Sequence, residues 1–236
     1  MADLQLRHRA LRPELMDDHG TGGDSLREAH RHLQRLNQIF GAAGPVLYAV
    51  RQLWQEAGRP RQLSVLDIGC GAGDINRSLL RWAEQEGIEL LLTLGDLTEE
   101  ACAEARALYQ DEPRVTVRQL DLFKLQPGEA DIVAASQLLH HFDEEQVVEA
   151  VEAMVRGSRI GCAIGDIHRH PIAWAAVWLV TRTVSRNRYI RHDGPLSVAK
   201  GFRAADWRRV RERLADGGQL AYSWRPLFRY ACWVRK

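Results

Sequence analysis

From about residue 62 onward, short apolar runs alternate with segments whose apolar side chains recur every three or four positions. That is the pattern of a parallel β-sheet covered by helices. Residues 63–68 are predicted as a first strand and 74–86 as the helix it feeds. A second apolar run at 90–95 precedes a helix starting at Thr98, whose hydroxyl can cap free amides while Glu99 and Glu100 sit at the positive end of the helix dipole. Further strands are predicted at 114–120, 130–136 and 159–166, with a helix at 143–155 between the last two. Residues 219–224 and 228–234 close the chain as a hairpin-like pair around Pro226.

Two segments depart from this alternation. Residues 24–57 carry a helical pattern, through Leu26, Leu33, Leu36 and Ile39 and then Leu47, Val50 and Leu53, broken at Gly41 and Gly44. Residues 171–202 form an insertion after the fifth strand: an apolar, Trp-rich helical run at 172–180, then Arg182, Arg186, Arg188 and Arg191, then a loop at 192–195. The expected organisation is an N-terminal helical cap over 1–60 and an α/β domain over 61–236 that carries the 171–202 insertion, together one structural domain. Additions to a regular framework are where a fold acquires its specificity.

At 236 residues and 45% hydrophobic, the chain suits one sizeable α/β core. Its N-terminus is polar and no segment approaches a membrane span in length, so a cytoplasmic protein is expected. Cys70, Cys102, Cys162 and Cys232 are scattered without metal-ligand spacing, and no metal site is expected. The net charge of +1 hides an asymmetry: residues 181–236 carry 14 Lys and Arg against 4 Asp and Glu, whereas residues 1–180 carry 18 against 27. No nucleic-acid-binding module accompanies the basic region, so no nucleic-acid partner is expected, while a peripheral contact with an anionic membrane stays open. The oligomeric state is not legible from the chain.

The stretch Val65-Leu66-Asp67-Ile68-Gly69-Cys70-Gly71-Ala72-Gly73-Asp74 joins the first strand to its helix. Gly69, Gly71 and Gly73 permit positive φ and leave no Cβ between backbone and ligand. A dinucleotide fingerprint needs its third glycine where this chain has Asp74, whose charge would face a pyrophosphate. Asp96 ends the second strand, where two ionised oxygens can accept from vicinal ribose hydroxyls, and Asp121 follows the third. A carboxylate after each of three successive strands is more specific than any one alone.

These residues resemble motif I and its companions in the class I S-adenosylmethionine-dependent methyltransferases. The resemblance implies a Rossmann-like seven-stranded sheet, with S-adenosylmethionine as cofactor and S-adenosylhomocysteine as its product. It implies Asp67 near the cofactor's ammonium, Asp96 and Leu97 at the ribose, Asp121 and Leu122 at the adenine, and Ser136 and Gln137 beside the methionine half.

Methyl transfer to a hydroxyl requires removal of a proton. A phenol with a pKa of about 10 benefits from a base of pKa near ~7, which histidine supplies. His140 and His141 follow the fourth strand and Asp166 ends the fifth, and both ends open onto one crevice because ligands bind outside the carboxyl ends of parallel strands. The chain looks like small-molecule O-methyltransferases of natural-product pathways, a likeness that implies His140 as base, Asp166 as its orienting partner and His141 as the alternate. His168, His170 and His192-Asp193 form a second polar cluster, with His168 and His192 as substrate candidates, and Trp174 and Trp178 are candidate walls of a pocket for a small hydrophobic aromatic acceptor. The segment Pro13-Glu14-Leu15-Met16-Asp17-Asp18 resembles a leader of bacterial methyltransferases of phenolic or quinol polyketide lipids, which adds Met16 to the substrate candidates. C-methylation of a quinol ring and a non-catalytic cofactor-binding protein are the alternatives.

Overall fold

A computed structural model describes residues 6–17, 39–215 and 220–236. The helical pattern expected between residues 24 and 36 lies outside the described residues. Five strands are parallel: β1 (Gln62–Ile68), β2 (Glu89–Asp96), β3 (Val115–Gln119), β4 (Ala130–Ser136) and β5 (Ser158–Ile167). β6 (Leu220–Arg225) and β7 (Arg229–Arg235) pair with each other, and β7 runs antiparallel against β5. The order across the sheet is β3-β2-β1-β4-β5-β7-β6. β1 therefore lies between β2 and β4, and the direction of winding reverses there, opening a crevice at the carboxyl ends of these strands.

Helices cover both faces. α1 (Ala43–Glu56), α2 (Arg77–Glu86) and α3 (Glu99–Leu108) lie on one side, where Val50, Leu53, Ala83 and Ala105 close over Val65, Leu92 and Ile132. α4 (Glu144–Gly157) and α7 (Ala204–Arg213) lie on the other, packing Val147, Val151, Met154 and Trp207 against Leu66, Val133 and Ile164. Strands buried on both faces read as near-continuous apolar runs, which is why the sequence places them well. Thr98 caps α3 as expected, its hydroxyl accepting from Ala101 N at 3.3 Å. Asp143 and Gln146 form a reciprocal capping box that starts α4, an arrangement worth about 1 kcal/mol.

Three expectations are corrected. The helix expected from Asp74 begins as a 3-10 turn, Asp74–Asn76, before α2 proper. The N-terminal cap is not wholly helical: residues 6–14 contain no helix and lead into a 3-10 turn at Leu15–Asp17. The loop expected at 192–195 is helix instead. The insertion forms α5 (Pro171–Val184) and α6 (Arg188–Lys200), with Pro195 inside α6. Gly194 tolerates this position because a Cβ there would stand 2.8 Å from Thr181 Cγ2, so its absence lets α6 lie close against α5.

Candidate active site

At the crevice, Gly69, Gly71 and Gly73 all have positive φ, at 69°, 53° and 76°. Two of them also lie close to side chains: a Cβ on Gly69 would stand 2.8 Å from the end of Leu138, and one on Gly73 would stand 2.8 Å from the end of Leu94. A Cβ on Gly71 would meet nothing within 4 Å, so this glycine borders open space where a ligand can approach the backbone. Tyr109 donates to Gly73 O at 2.7 Å and fastens the turn from below.

The carboxylates stand around that space. Asp67 is 1% exposed; its Oδ2 accepts from Asn76 Nδ2 at 2.6 Å, and its Oδ1 has no hydrogen-bond partner among the described residues. Burial pushes its pKa up to about 7, more than the Asn76 bond lowers it. Asp96 joins the two sides of the crevice, Oδ2 accepting from Gly71 N at 3.0 Å and Oδ1 from Thr98 N at 3.0 Å. Leu97 beside it is exposed. Asp121 follows the third strand as expected, but its oxygens already serve the chain: Oδ1 accepts from Phe123 N at 3.0 Å and Oδ2 pairs with Lys124 at 3.1 Å. Burial alone would raise its pKa, yet these bonds outweigh it and hold the carboxyl below its ordinary value. Leu122 is buried in the core beneath. An orphaned carboxylate oxygen, an open glycine and a strand-end aspartate fit a cofactor that brings an ammonium group and a ribose.

Beyond β4 the chain bends sharply. Gln137 has a φ of 53°, strained for a side chain with a Cβ, and its N–H donates to Gly165 O at 2.7 Å. This turn throws the 3-10 segment Leu139–His141 over the end of β5. His140 is 3% exposed, with Nδ1 2.8 Å from Asp166 Oδ1 and its own N–H donating to Asp166 Oδ2 at 3.2 Å. Asp166 is fully buried; burial would raise its pKa, but the charge and hydrogen bond of His140 and the N–H of Ile167 bring it below its ordinary value. An ionised Asp166 draws the ring proton to Nδ1 and leaves Nε2 free to accept one.

A cavity of about 240 Å³ opens beside this pair, lined by His140, His141, Glu14, Gln137 and Arg229 at its polar side. Its apolar walls include Phe40, Val177, Val198 and Phe228. Glu14 Oε1 lies 3.8 Å from His140 Nε2, accepts from Ser197 Oγ at 2.9 Å and sits 3.5 Å from Lys200 Nζ. Glu14, His140 and His141 bring their ligand atoms within 4.8 Å of one another, and the Lys200 ammonium already supplies positive charge to that cluster.

Residues 65–161 match the family of methyltransferase domains. The chain has the class I methyltransferase fold. Among solved structures, the plantazolicin methyltransferase BpumL in complex with S-adenosylhomocysteine superimposes with a TM-score of 0.67 at 13% identity, covering 91% of each chain. A S-adenosylmethionine-dependent methyltransferase from Aquifex aeolicus gives 0.58 at 16% identity, over 91% of this chain and 99% of that one. Magnesium protoporphyrin IX methyltransferase from Synechocystis PCC 6803 gives 0.54 at 14% identity, over 92% of this chain and 90% of that one. No curated protein matches the sequence.

Of the residues predicted to touch substrate, the structure places none on the cavity wall. Trp174 and His192 border a separate surface hollow with Pro195 and Leu196. Trp178 is 39% exposed and carries the Arg182 guanidinium 4.2 Å above its ring. α5 turns a different face to the cavity, through Ala173, Ala176 and Val177. His168 accepts from Trp224 Nε1 at 3.2 Å and packs among His170, Phe228 and Tyr230, and burial first, then the charges of His170 and two arginines, lowers its pKa to about 4. Met16 packs on Tyr189 and Ile190, while Asp193 accepts from Leu15 N and Met16 N at 2.9 and 3.0 Å. Ser136 Oγ points to Ala42 O at 3.5 Å, and Gln137 turns its side chain to the cavity, where Oε1 accepts from Arg229 at 2.9 Å.

Glu14, Arg229 and Lys200 are the site residues that the sequence did not single out. Glu14 stands within the leader that drew attention, and Arg229 opens the largely apolar strand that Arg235 closes. Their meeting at His140 depends on pairings across most of the chain.

Proposed function

We propose that the protein is a S-adenosylmethionine-dependent methyltransferase that methylates a hydroxyl group of a small, largely hydrophobic aromatic acceptor. The observation that carries this reading is the buried His140–Asp166 pair at the wall of a mainly apolar cavity. Gly71, Asp67 and Asp96 would hold the cofactor, through backbone approach, the orphaned Oδ1 and the ribose-facing carboxylate respectively. The cofactor supplies a methyl group activated on a sulfonium. Asp166 fixes the His140 tautomer, His140 takes the hydroxyl proton at Nε2, and Glu14 offers the resulting imidazolium a nearby negative charge. The apolar walls exclude water and hold the ring in line for displacement.

The test is His140→Ala assayed with a panel of phenols and quinols and labelled S-adenosylmethionine. Turnover should fall by about a hundredfold or more while S-adenosylhomocysteine affinity stays within about twofold. Unchanged turnover removes His140 from the role. Mass spectrometry of the product decides the acceptor atom: loss of a free hydroxyl supports O-methylation, and a product that keeps it assigns the methyl to a ring carbon activated by the same base.

A further inference from the structure

Arg229 lines the cavity with a guanidinium that forms no ion pair among the described residues. It is 7% exposed, at the first position of β7. Nη1 donates to Gln137 Oε1 at 2.9 Å and Nε to Phe40 O at 3.4 Å, both neutral acceptors. Nη2 has no partner among the described residues, and no carboxylate there lies within ion-pair distance of the guanidinium. The two nearby acids are committed elsewhere: Asp166 to His140 and the Ile167 N–H, Glu14 to Ser197 and Lys200. Burial lowers the Arg229 pKa to about 10, with the field of Asp166 working against the drop. A buried, unpaired guanidinium is costly, and a protein keeps one where a ligand completes it.

The backbone of β7 is separated from that of β1 by β4 and β5, roughly 14 Å at about 4.8 Å per strand, and the Arg229 guanidinium reaches back from there as far as Gln137. It lines the same cavity as α5 and α6, on the acceptor's side of His140. The compensating charge must also arrive with the ligand. A phenol of pKa about 10 is neutral at physiological pH, whereas a carboxylate is ionised before it binds and suits a planar guanidinium.

We propose that Arg229 anchors a carboxylate of the acceptor, so that the substrate is an aromatic acid held with its hydroxyl toward His140. This rests on the methyltransferase reading for the identity of the acceptor, but the anion site itself stands on Arg229 alone.

Salicylate and salicylamide form the probe pair, matched in shape and differing in charge, and their binding is measured by calorimetry or ligand-observed NMR with and without S-adenosylhomocysteine. Salicylate should bind about tenfold or more tightly than the amide. Arg229→Gln should abolish that preference by weakening salicylate alone, with S-adenosylhomocysteine affinity unchanged, and Arg229→Lys should restore part of it. Equal affinity for the two probes, or no binding of either at millimolar concentration, overturns the proposal on wild-type protein, whatever the folding of the variants. A preference that survives in Arg229→Gln overturns it too, as does a parallel loss of S-adenosylhomocysteine affinity, which would assign Arg229 to the cofactor. Absence of S-adenosylhomocysteine binding to wild type would sink the methyltransferase reading, while the acid preference of the cofactor-free protein still decides the anion site.

Discussion

Asp67 shows how one buried side chain can set both a binding preference and a stability profile. With its folded pKa pushed up to about 7 by burial, the native chain holds a proton that an unfolded aspartate, titrating near ~3.9, gives up. The stability this proton contributes is present at low pH and is lost as pH rises through about 7. A cationic ammonium beside Oδ1 favours the opposite, ionised form, so S-adenosylhomocysteine affinity should rise with pH through about 7 and level off above it. Asp67→Asn reproduces the protonated shape without the titration. At pH 8 this variant should match or exceed the thermal stability of the unliganded wild type, bind S-adenosylhomocysteine about tenfold more weakly, and lose the pH dependence of that binding. Calorimetry across the neutral range checks it, and a variant that keeps the wild-type pH profile would acquit Asp67.

Among the elements, the contrast between β1–β5 and α6 explains what the chain discloses by itself. The central strands β1, β4 and β5 and the glycine turn are local signals, because burial on both faces demands an apolar run and a close ligand demands missing Cβ atoms. Asp67, Asp96 and Asp166 could be singled out because each lies at the carboxyl end of a strand, and His140 because it follows one within four residues. α6 was not legible, because Gly194 and Pro195 are ordinarily helix breakers and only the packing of α5 against Gly194 overrides that preference. The tryptophans misled through periodicity: Trp174 and Trp178 share one helical stripe, and Ala173 and Val177 on the adjacent stripe face the cavity. Glu14 was hidden by distance along the chain, since its partner Ser197 lies 183 positions away. Gly194→Val tests the α5–α6 contact, because its Cβ would meet Thr181 and its branches would crowd Val177, 3.2 Å from that Cβ. A loss of about 1–3 kcal/mol in chemical denaturation is expected, with S-adenosylhomocysteine affinity intact. Wild-type stability would show that the two helices separate freely.

Over the whole molecule, residues 6–17 act as a strap that runs from α7 across the insertion to the cavity. Buried Arg169 holds Leu6 O at 3.0 Å while pairing with Asp206 at 3.1 Å. Arg9 spans the middle, donating to Phe142 O at 2.8 Å, His140 O at 3.2 Å and Lys200 O at 2.9 Å with its guanidinium 4.2 Å from the Phe202 ring. Ala10 N bonds Ala199 O at 3.0 Å, and Asp193 receives the Leu15 and Met16 amides. The strap thus ties the turn after β4 to α6 and carries Glu14 to His140. It lies outside the hydrogen-bonded sheet and contains no helix before Leu15, so it should open locally before the core does. Arg9→Ala removes the central tie and should cost about 2–3 kcal/mol, because its carbonyl partners are left without a charged donor. Hydrogen exchange should then accelerate at Ala10, Leu15 and Met16 while the amides of β1, β4 and β5 keep their protection. Turnover should fall through the displaced Glu14, and S-adenosylhomocysteine affinity should hold because the glycine turn and Asp96 do not touch the strap. Uniform acceleration across strap and sheet would mean that residues 6–17 unfold only with the core, and that Arg9 supports the whole fold rather than the closure of the acceptor site.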